Sequence, residues 1–138
     1  MIGLDTNVLA RYYVEDAADP QARKQRLAAR RLIESGQALM VCKTVVLELE
    51  WVLRGYCGFE PAEVAAVLGH LLSLAQVTVE DRPAVERALR NMEAGLDFAD
   101  ALHHASHVAC SHMASFHDRR FASRAGKLGL LPSVKLPS

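Results

Sequence analysis

The chain is predicted to be an α/β protein: a three-layer α/β/α sandwich around a central, mostly parallel sheet of four to five strands. Short apolar runs alternate with longer segments of helical periodicity, which is typical of this class. Hydrophobic residues make up 51% of the chain and aromatic residues only 6%, which suits aliphatic helices packed on a small sheet. Repeats, low-complexity segments and linkers are missing. The 138 residues are therefore expected to form a single domain, residues 1–138.

The first element is a short strand followed by an acid and a helix. Residues 1–4 are apolar and long enough for one buried strand, and Asp5 stands at its end. Thr6 and Asn7 favour a helix start, and helical spacing follows at Val8, Leu9, Tyr12 and Tyr13. Two interpretations of Asp5 stay open. It is a carboxylate that holds a cation beyond a parallel strand, or it merely caps the helix.

A second helix is predicted from Gln21 to about Ser35, with Pro20 in its first turn. The residues expected to face the core are Ala28, Ala29, Leu32 and Ile33. This helix is also the most basic stretch of the chain, through Arg23, Lys24, Arg26, Arg30 and Arg31. The basic face is interpreted either as an ordinary solvated surface or as a surface that contacts phosphates.

A second buried strand, residues 39–42, leads into a helix over residues 45–54, with Thr44 as the expected N-cap. The apolar face of this helix consists of Val45, Val46, Leu49, Val52, Leu53 and Tyr56. Glu48 flanks that face, so it is either a solvated glutamate or part of a site. Glu50 precedes Arg54 by four residues, which predicts a surface ion pair and a structural role.

The rest of the chain continues the alternation of helices and strands. We expect a helix from residue 60, a strand over 76–80, a helix over 81–93, a helix after 97, a strand over 113–116, a short helix after 118 and an edge strand over 134–136. Asp97 and Asp100 resemble a capping box. Asp100 lies in the first helical turn, where free N–H groups should keep its carboxylate ionised.

Four acids occupy comparable places in this scheme. Asp5 and Asp118 follow strands, while Glu48 and Asp100 lie in early turns of helices. In a parallel sheet such positions can converge at the carboxyl edge. Crowded carboxylates favour a divalent cation, and oxygen ligands suit Mg²⁺ or Mn²⁺ better than zinc. The residues therefore predict a metal-dependent phosphodiesterase.

Three motifs in order resemble those of the PIN-domain family, and most closely the VapC-type toxins of toxin–antitoxin pairs. They are Asp5-Thr6-Asn7-Val8-Leu9, Val46-Leu47-Glu48-Leu49-Glu50-Trp51-Val52-Leu53 and Phe98-Ala99-Asp100-Ala101-Leu102. The resemblance implies an α/β/α fold and a Mg²⁺- or Mn²⁺-dependent ribonuclease. Such an enzyme hydrolyses RNA with water and leaves a 5′-phosphate and a 3′-hydroxyl. It also implies a homodimer that a cognate antitoxin holds inactive in a hetero-oligomer.

The same resemblance assigns roles to particular residues. Asp5 and Asp100 would be the main metal ligands, Glu48 would complete the acidic pocket, and Asp118 would support the metal or a water. Thr6 would orient Asp5. One departure concerns the last motif, in which the family has Thr, one residue and then Asp. Here Asp118 comes three residues after Ser115.

Several other functions and locations are weighed on the sequence. With no apolar run of about 20 residues and no signal peptide, the chain is expected to be cytoplasmic, without a membrane partner. The 3 cysteines form no C-x-x-C pair, which argues against a disulfide framework and a thiolate zinc site. A net charge of zero argues against a simple nucleic-acid-binding module but permits a nuclease with a dipolar surface.

Three alternative interpretations remain. The first is a catalytically weak PIN-fold protein that acts through complexes with a partner or nucleic acid. The second is a haloacid-dehalogenase-like phosphatase, which is disfavoured because Asn7 stands where a second Asp is needed. The third is a zinc pair at His103 and His107, which lacks the glutamate of the usual helical motif. His104 or His107 could also lie near the acidic pocket.

Overall fold

The computed structural model describes residues 1–138 and contains five strands, seven α-helices and two π-turns. The strands are β1 Ile2–Gly3, β2 Leu39–Val41, β3 Val77–Val79, β4 His112–Ala114 and β5 Ser133–Lys135. The helices are α1 Thr6–Tyr13, α2 Pro20–Ile33, α3 Lys43–Trp51, α4 Pro61–Ser73, α5 Arg82–Glu93, α6 Phe98–Ala105 and α7 Ser123–Lys127. The first π-turn is Val52–Tyr56, and the second π-turn is Asp118–Ala122.

The chain divides into two compact units, Met1–Arg82 and Pro83–Ser138. In the first unit the strand order is β1-β2-β3, with Leu39 paired to both Ile2 and Val77. In the second unit β4 and β5 form a separate pair. Every pairing is parallel, so the predicted α/β class with parallel strands is confirmed. The five strands lie in two sheets.

The core of the first unit is aliphatic. Its most deeply buried side chains include Leu9, Ile33, Leu39, Val41, Val46, Leu49, Leu53, Val64, Leu68 and Leu71. The prediction that β1 is buried is wrong, since Ile2 is 38% exposed and only Leu4, just after the strand, is buried. The physical reason is that β1 is a two-residue edge strand that pairs only with β2.

Polar groups fix the helix starts of the first unit. Asp5 and Asp19 cap α1 and α2 with their side chains, and Glu60 and Glu63 form a capping box at α4. The expected cap at Thr44 is wrong, because α3 begins at Lys43, two residues earlier than predicted, and Cys42 is its N-cap. Cys42 makes no side-chain cap bond, and the Glu80 carboxylate instead accepts from the Lys43 backbone N–H at 2.7 Å.

The first π-turn extends α3 by five residues. Its widened geometry is marked by the Cys57 N–H, which donates to the Val52 carbonyl five residues earlier at 3.0 Å. Tyr56 was predicted on the apolar face of a regular α-helix, yet it is 82% exposed. The prediction is wrong because a turn with an extra residue shifts the phase of the residues that follow.

The second unit has its own set of buried side chains. They are Ala84, Val85, Ala88, Leu96, Phe98, Ala101, Leu102, His104, Ala105, Phe121 and Ala125. Asp97 is the N-cap of α6 and accepts from the Asp100 backbone N–H at 3.2 Å. In neither unit is any helix both long enough and apolar enough to cross a membrane.

Candidate functional site

Asp5 lies at the point where β1 ends and α1 begins. Its backbone is extended, with φ −82° and ψ 160°, so the chain leaves the strand and turns directly into the helix. One carboxylate oxygen, Oδ1, accepts from the Thr6 backbone N–H at 2.7 Å. The residue as a whole is exposed. Asp5 is therefore the helix cap that the sequence allowed, and its carboxylate also faces solvent.

Thr6 forms its hydrogen bond to Asp5 through the Thr6 backbone N–H and not through the Thr6 hydroxyl. The N–H of Thr6 is the donor to Asp5, whereas its Oγ1 is buried and has no hydrogen-bond partner. Thr6 as a whole is only 5% exposed. A buried hydroxyl without a partner is unusual in a folded protein, and here it stands one residue from the candidate ligand.

A cavity of about 800 Å³ adjoins Asp5 in the first unit. Its lining comes from α1, α2, the second half of α3 and the first π-turn. Asp5 and Glu48 both line it, so two carboxylates border one space. Ala28 and Leu32 had been predicted as core residues. Ala28 is exposed and Leu32 is half-buried, and both form part of the apolar wall of this cavity.

Glu48 and Glu50 occupy different environments, and only the burial of Glu50 departs from the sequence interpretation. Glu48 is exposed and lines the cavity. Glu50, expected in a surface ion pair, is only 2% exposed. The predicted pairing is confirmed, since Arg54 Nε lies 2.7 Å from Glu50 Oε2, while the Arg54 side chain stays 48% exposed. The acid inside the core is thus Glu50, and its charge is met by a guanidinium that reaches water.

Asp100 lies in the second unit, in the first turn of α6. Burial raises the pKa of its carboxyl above the ordinary value, and the charge of Asp97 raises it further. The nearby charges of His117 and His103 act in the opposite direction without reversing the shift. The helix start was expected to keep Asp100 ionised. The pKa shift is opposite to the one that the N–H groups alone would produce, because desolvation and a second carboxylate both raise the pKa, and the ionised state stays a prediction.

His117 is a neighbour of Asp100 to which no role was assigned from the sequence. It follows β4 and directly precedes Asp118. Ser115 shapes this turn, since its Oγ accepts from the His117 backbone N–H at 3.1 Å. Asp118 is exposed and is the first residue of the second π-turn. The only sequence signal for His117 was its position beside a candidate acid.

The histidines of α6 do not form a metal site. His104 is only 1% exposed, and its Nε2 lies 2.8 Å from the Pro132 carbonyl, while its Nδ1 has no partner. His104 is therefore a buried residue of the second unit, one helical turn after Asp100 in α6. His107 Nδ1 instead lies 2.6 Å from the His103 carbonyl, one helical turn earlier. No group of three or more His, Cys, Asp or Glu side chains is arranged to hold a metal ion.

The donors that are present fit a hard cation better than a soft one. Asp5 and Glu48 offer only oxygen atoms to the cavity. Mg²⁺ keeps several of its waters and is commonly bound through one or two carboxylates, so it does not require a cage of three protein ligands. Zinc in structural sites takes four ligands, usually Cys or His, and the chain does not supply such a set.

Comparison with known proteins gives one informative result. Residues 2–127 match the PIN domain, so the match spans both units and ends with α7. No curated protein matches the chain significantly.

Proposed function

The chain belongs to the PIN-domain family, an α/β fold whose members are generally metal-dependent nucleases, and on that premise we propose that it is a Mg²⁺- or Mn²⁺-dependent endoribonuclease. We further propose that it is the toxin of a toxin–antitoxin pair. The observation that supports the nuclease is the cavity beyond β1, which two carboxylates line. The toxin role is supported by the resemblance of the three motifs to VapC-type toxins.

Asp5 and Asp100 are the proposed metal ligands, with Glu48 and Asp118 in supporting roles. A bound divalent ion would polarise the scissile phosphate and lower the pKa of an attacking water. The Asp5 carboxylate is held in place for this role by the start of α1. Because the Thr6 N–H fixes Oδ1, the second oxygen, Oδ2, is left for a ligand. Burial raises the pKa of the Asp100 carboxyl, and a cation bound beside it would favour the ionised form.

The cavity also suits the proposed antitoxin. Its walls are mainly apolar side chains, including Val8, Ala28, Leu32 and Val52, and its acidic border carries Asp5 and Glu48. A partner segment with an apolar face and a basic side chain would bury the walls and neutralise the acids. The proposal includes a homodimer and a toxin–antitoxin hetero-oligomer. It places the protein in the cytoplasm, where an RNA substrate would be met.

RNA cleavage by the partner-free full chain tests the nuclease. A mixed RNA pool is incubated with Mg²⁺, with Mn²⁺ and with EDTA, beside the variants Asp5→Asn and Asp100→Asn. Changes in the outer shell of a metal site already reduce affinity or activity about 10- to 100-fold, so loss of a ligand should exceed about 100-fold. Asp19→Asn is the matched control, because Asp19 caps α2 in the way that Asp5 caps α1.

The outcomes separate the enzyme from a binding protein. Metal-dependent cuts that disappear in both site variants and persist in Asp19→Asn would support the nuclease. Wild-type cleavage and wild-type Mn²⁺ affinity in Asp5→Asn or Asp100→Asn would reject the ligand assignment. RNA binding without cleavage under any metal condition would favour the second candidate, a catalytically weak protein that acts through complexes.

A further inference from the structure

Two exposed aromatic side chains stand together at the end of α3. Trp51 is 54% exposed and Tyr56 is 82% exposed, which is high for large rings. Their ring centroids are 6.5 Å apart, with the planes tilted by 54°. Single exposed apolar residues need no explanation, but a paired Trp and Tyr is the composition of a binding surface.

The first π-turn is what allows this pair. Residues five apart in an α-helix point about 140° away from each other, because 3.6 residues complete each turn. In the first π-turn the hydrogen bonds span five residues, which reduces the angle between these two side chains about the helix axis. The rings of Trp51 and Tyr56 therefore lie on the same side of the helix. Gly55 lies against the indole, where an added Cβ would be 3.7 Å from Trp51 Cε2 and Nε1. π-turns inside helices are frequent at functional sites.

The aromatic pair adjoins the acid-lined cavity. Tyr56 is itself a lining residue, in the same space as Asp5 and Glu48. The Tyr56 ring thus borders the same cavity as Asp5, a proposed metal ligand, and Glu48, proposed in a supporting role.

Helix α2, which forms one wall of that cavity, also carries two exposed cationic side chains. Ala28 lines the cavity, and Lys24 and Arg31 lie four residues before it and three residues after it, on the same side of the helix. Both side chains are exposed, and neither takes part in a salt bridge. Two carboxylates and the Tyr56 ring therefore line the cavity, while Lys24 and Arg31 are exposed on the neighbouring surface of α2.

We infer that Trp51 and Tyr56 form a stacking platform for unpaired bases of single-stranded RNA, with Lys24 and Arg31 contacting its phosphates. Aromatic rings beside a cationic track are how proteins bind single strands, since every base offers a face for stacking. In an A-form duplex the base faces are covered by neighbouring pairs, so the platform selects loops and single strands. This inference rests on the proposed nuclease, and it adds the form of RNA and the residues that bind it.

Trp51 gives a direct readout, because it is the only tryptophan of the chain. The full-length protein in EDTA is titrated with a single-stranded RNA oligonucleotide of mixed sequence and with the same strand in a duplex. Stacking on the indole should quench Trp51 fluorescence with the single strand and much less with the duplex. EDTA prevents metal-dependent cleavage, so the titration reports binding alone.

Substitutions separate the platform from general surface effects. Tyr56→Ala should weaken single-strand binding about 5- to 100-fold, which corresponds to the loss of one stacked base. Tyr56→Phe keeps the ring and should bind within about 2-fold of wild type. Leu136→Ala, at an exposed apolar residue of the second unit, is the control and should leave both affinity and quenching unchanged.

The result distinguishes failure of the inference from failure of the proposed function. No quenching by RNA, or wild-type RNA affinity in Tyr56→Ala, overturns the platform even if metal-dependent cleavage is found. Binding that depends on Tyr56 but produces no cleavage when metal is added supports the platform and rejects the nuclease. Quenching by a protein partner but not by RNA overturns the inference in favour of a protein interface.

Discussion

Asp5 caps α1 and is also a proposed metal ligand, and substitutions at this residue can separate the two roles. Asn caps helices about as well as Asp, whereas Ala leaves the Thr6 N–H without its acceptor. Asn and Ala both remove the negative charge that a cation needs. The comparison of Asp5→Asn with Asp5→Ala therefore tests the cap through stability and the ligand through metal binding.

The structure sets the size of both effects. Loss of an N-cap lowers the free energy of unfolding by about 0.5–2 kcal/mol, so Asp5→Ala should lower it by about 1 kcal/mol. Asp5→Asn keeps the hydrogen bond and loses only the interaction of the charge with the helix dipole, about 0.3–1 kcal/mol at an exposed site. Mn²⁺ affinity, in contrast, should fall by more than about 100-fold in both variants.

Urea unfolding and Mn²⁺ calorimetry on the same preparations provide the assay. Asp19→Asn and Asp19→Ala are the matched controls, because Asp19 caps α2 through the Gln21 N–H at 3.0 Å. The free energy of unfolding should fall in both Asp19 variants by amounts similar to those in the corresponding Asp5 variants, and Mn²⁺ affinity should stay unchanged. The reasoning would be refuted if Asp5→Asn bound Mn²⁺ like wild type, since Asp5 would then be only a cap.

Three further predictions concern other parts of the first unit. Leu49→Ala should lower the free energy of unfolding by about 2–5 kcal/mol in a urea titration, because the Leu49 side chain is fully buried. A hydrogen bond from Thr44 lowers the pKa of the Cys42 thiol, so its alkylation rate should reach half-maximum below the usual pH of about 8.5, and Thr44→Val should move that midpoint upward. Burial raises the pKa of Tyr13 above its unfolded value of about 10, so the free energy of unfolding should fall as the pH rises above 10, and less steeply in Tyr13→Phe. An unchanged slope in Tyr13→Phe would contradict that prediction.

The sequence predicted well those helix boundaries that depend on residues close by in the chain. The start of α1 at Thr6 and the end of α2 near Gly36 follow from caps and breakers within a few residues. The match to the PIN family confirms the family that three short motifs had indicated. The ligand roles of Asp5, Glu48, Asp100 and Asp118 stay predictions, to be tested by substitution.

The predictions that failed have distant or cooperative causes. The burial of His104 was not predicted, because its Nε2 lies beside the Pro132 carbonyl, 28 residues away, and no local pattern encodes that contact. Glu50 enters the core although its spacing to Arg54 is equally typical of a surface pair. Tyr56 lies outside the apolar face of α3 because it belongs to the first π-turn, a feature without a clear sequence signal. The upward pKa shift of Asp100 was not predicted, because burial and the charge of Asp97 depend on the folded structure.

The bond between Glu80 and the start of α3 has a consequence for the order of folding. The acceptor for the Lys43 N–H lies 37 residues further along the chain, at the end of β3. The first turn of α3 therefore gains its acceptor only after β3 has paired with β2, so its formation is tied to a long loop closure. We expect a substitution at Glu80 to speed unfolding more than it slows refolding. Pulsed hydrogen exchange should show the Lys43 amide among the last to become protected in this unit.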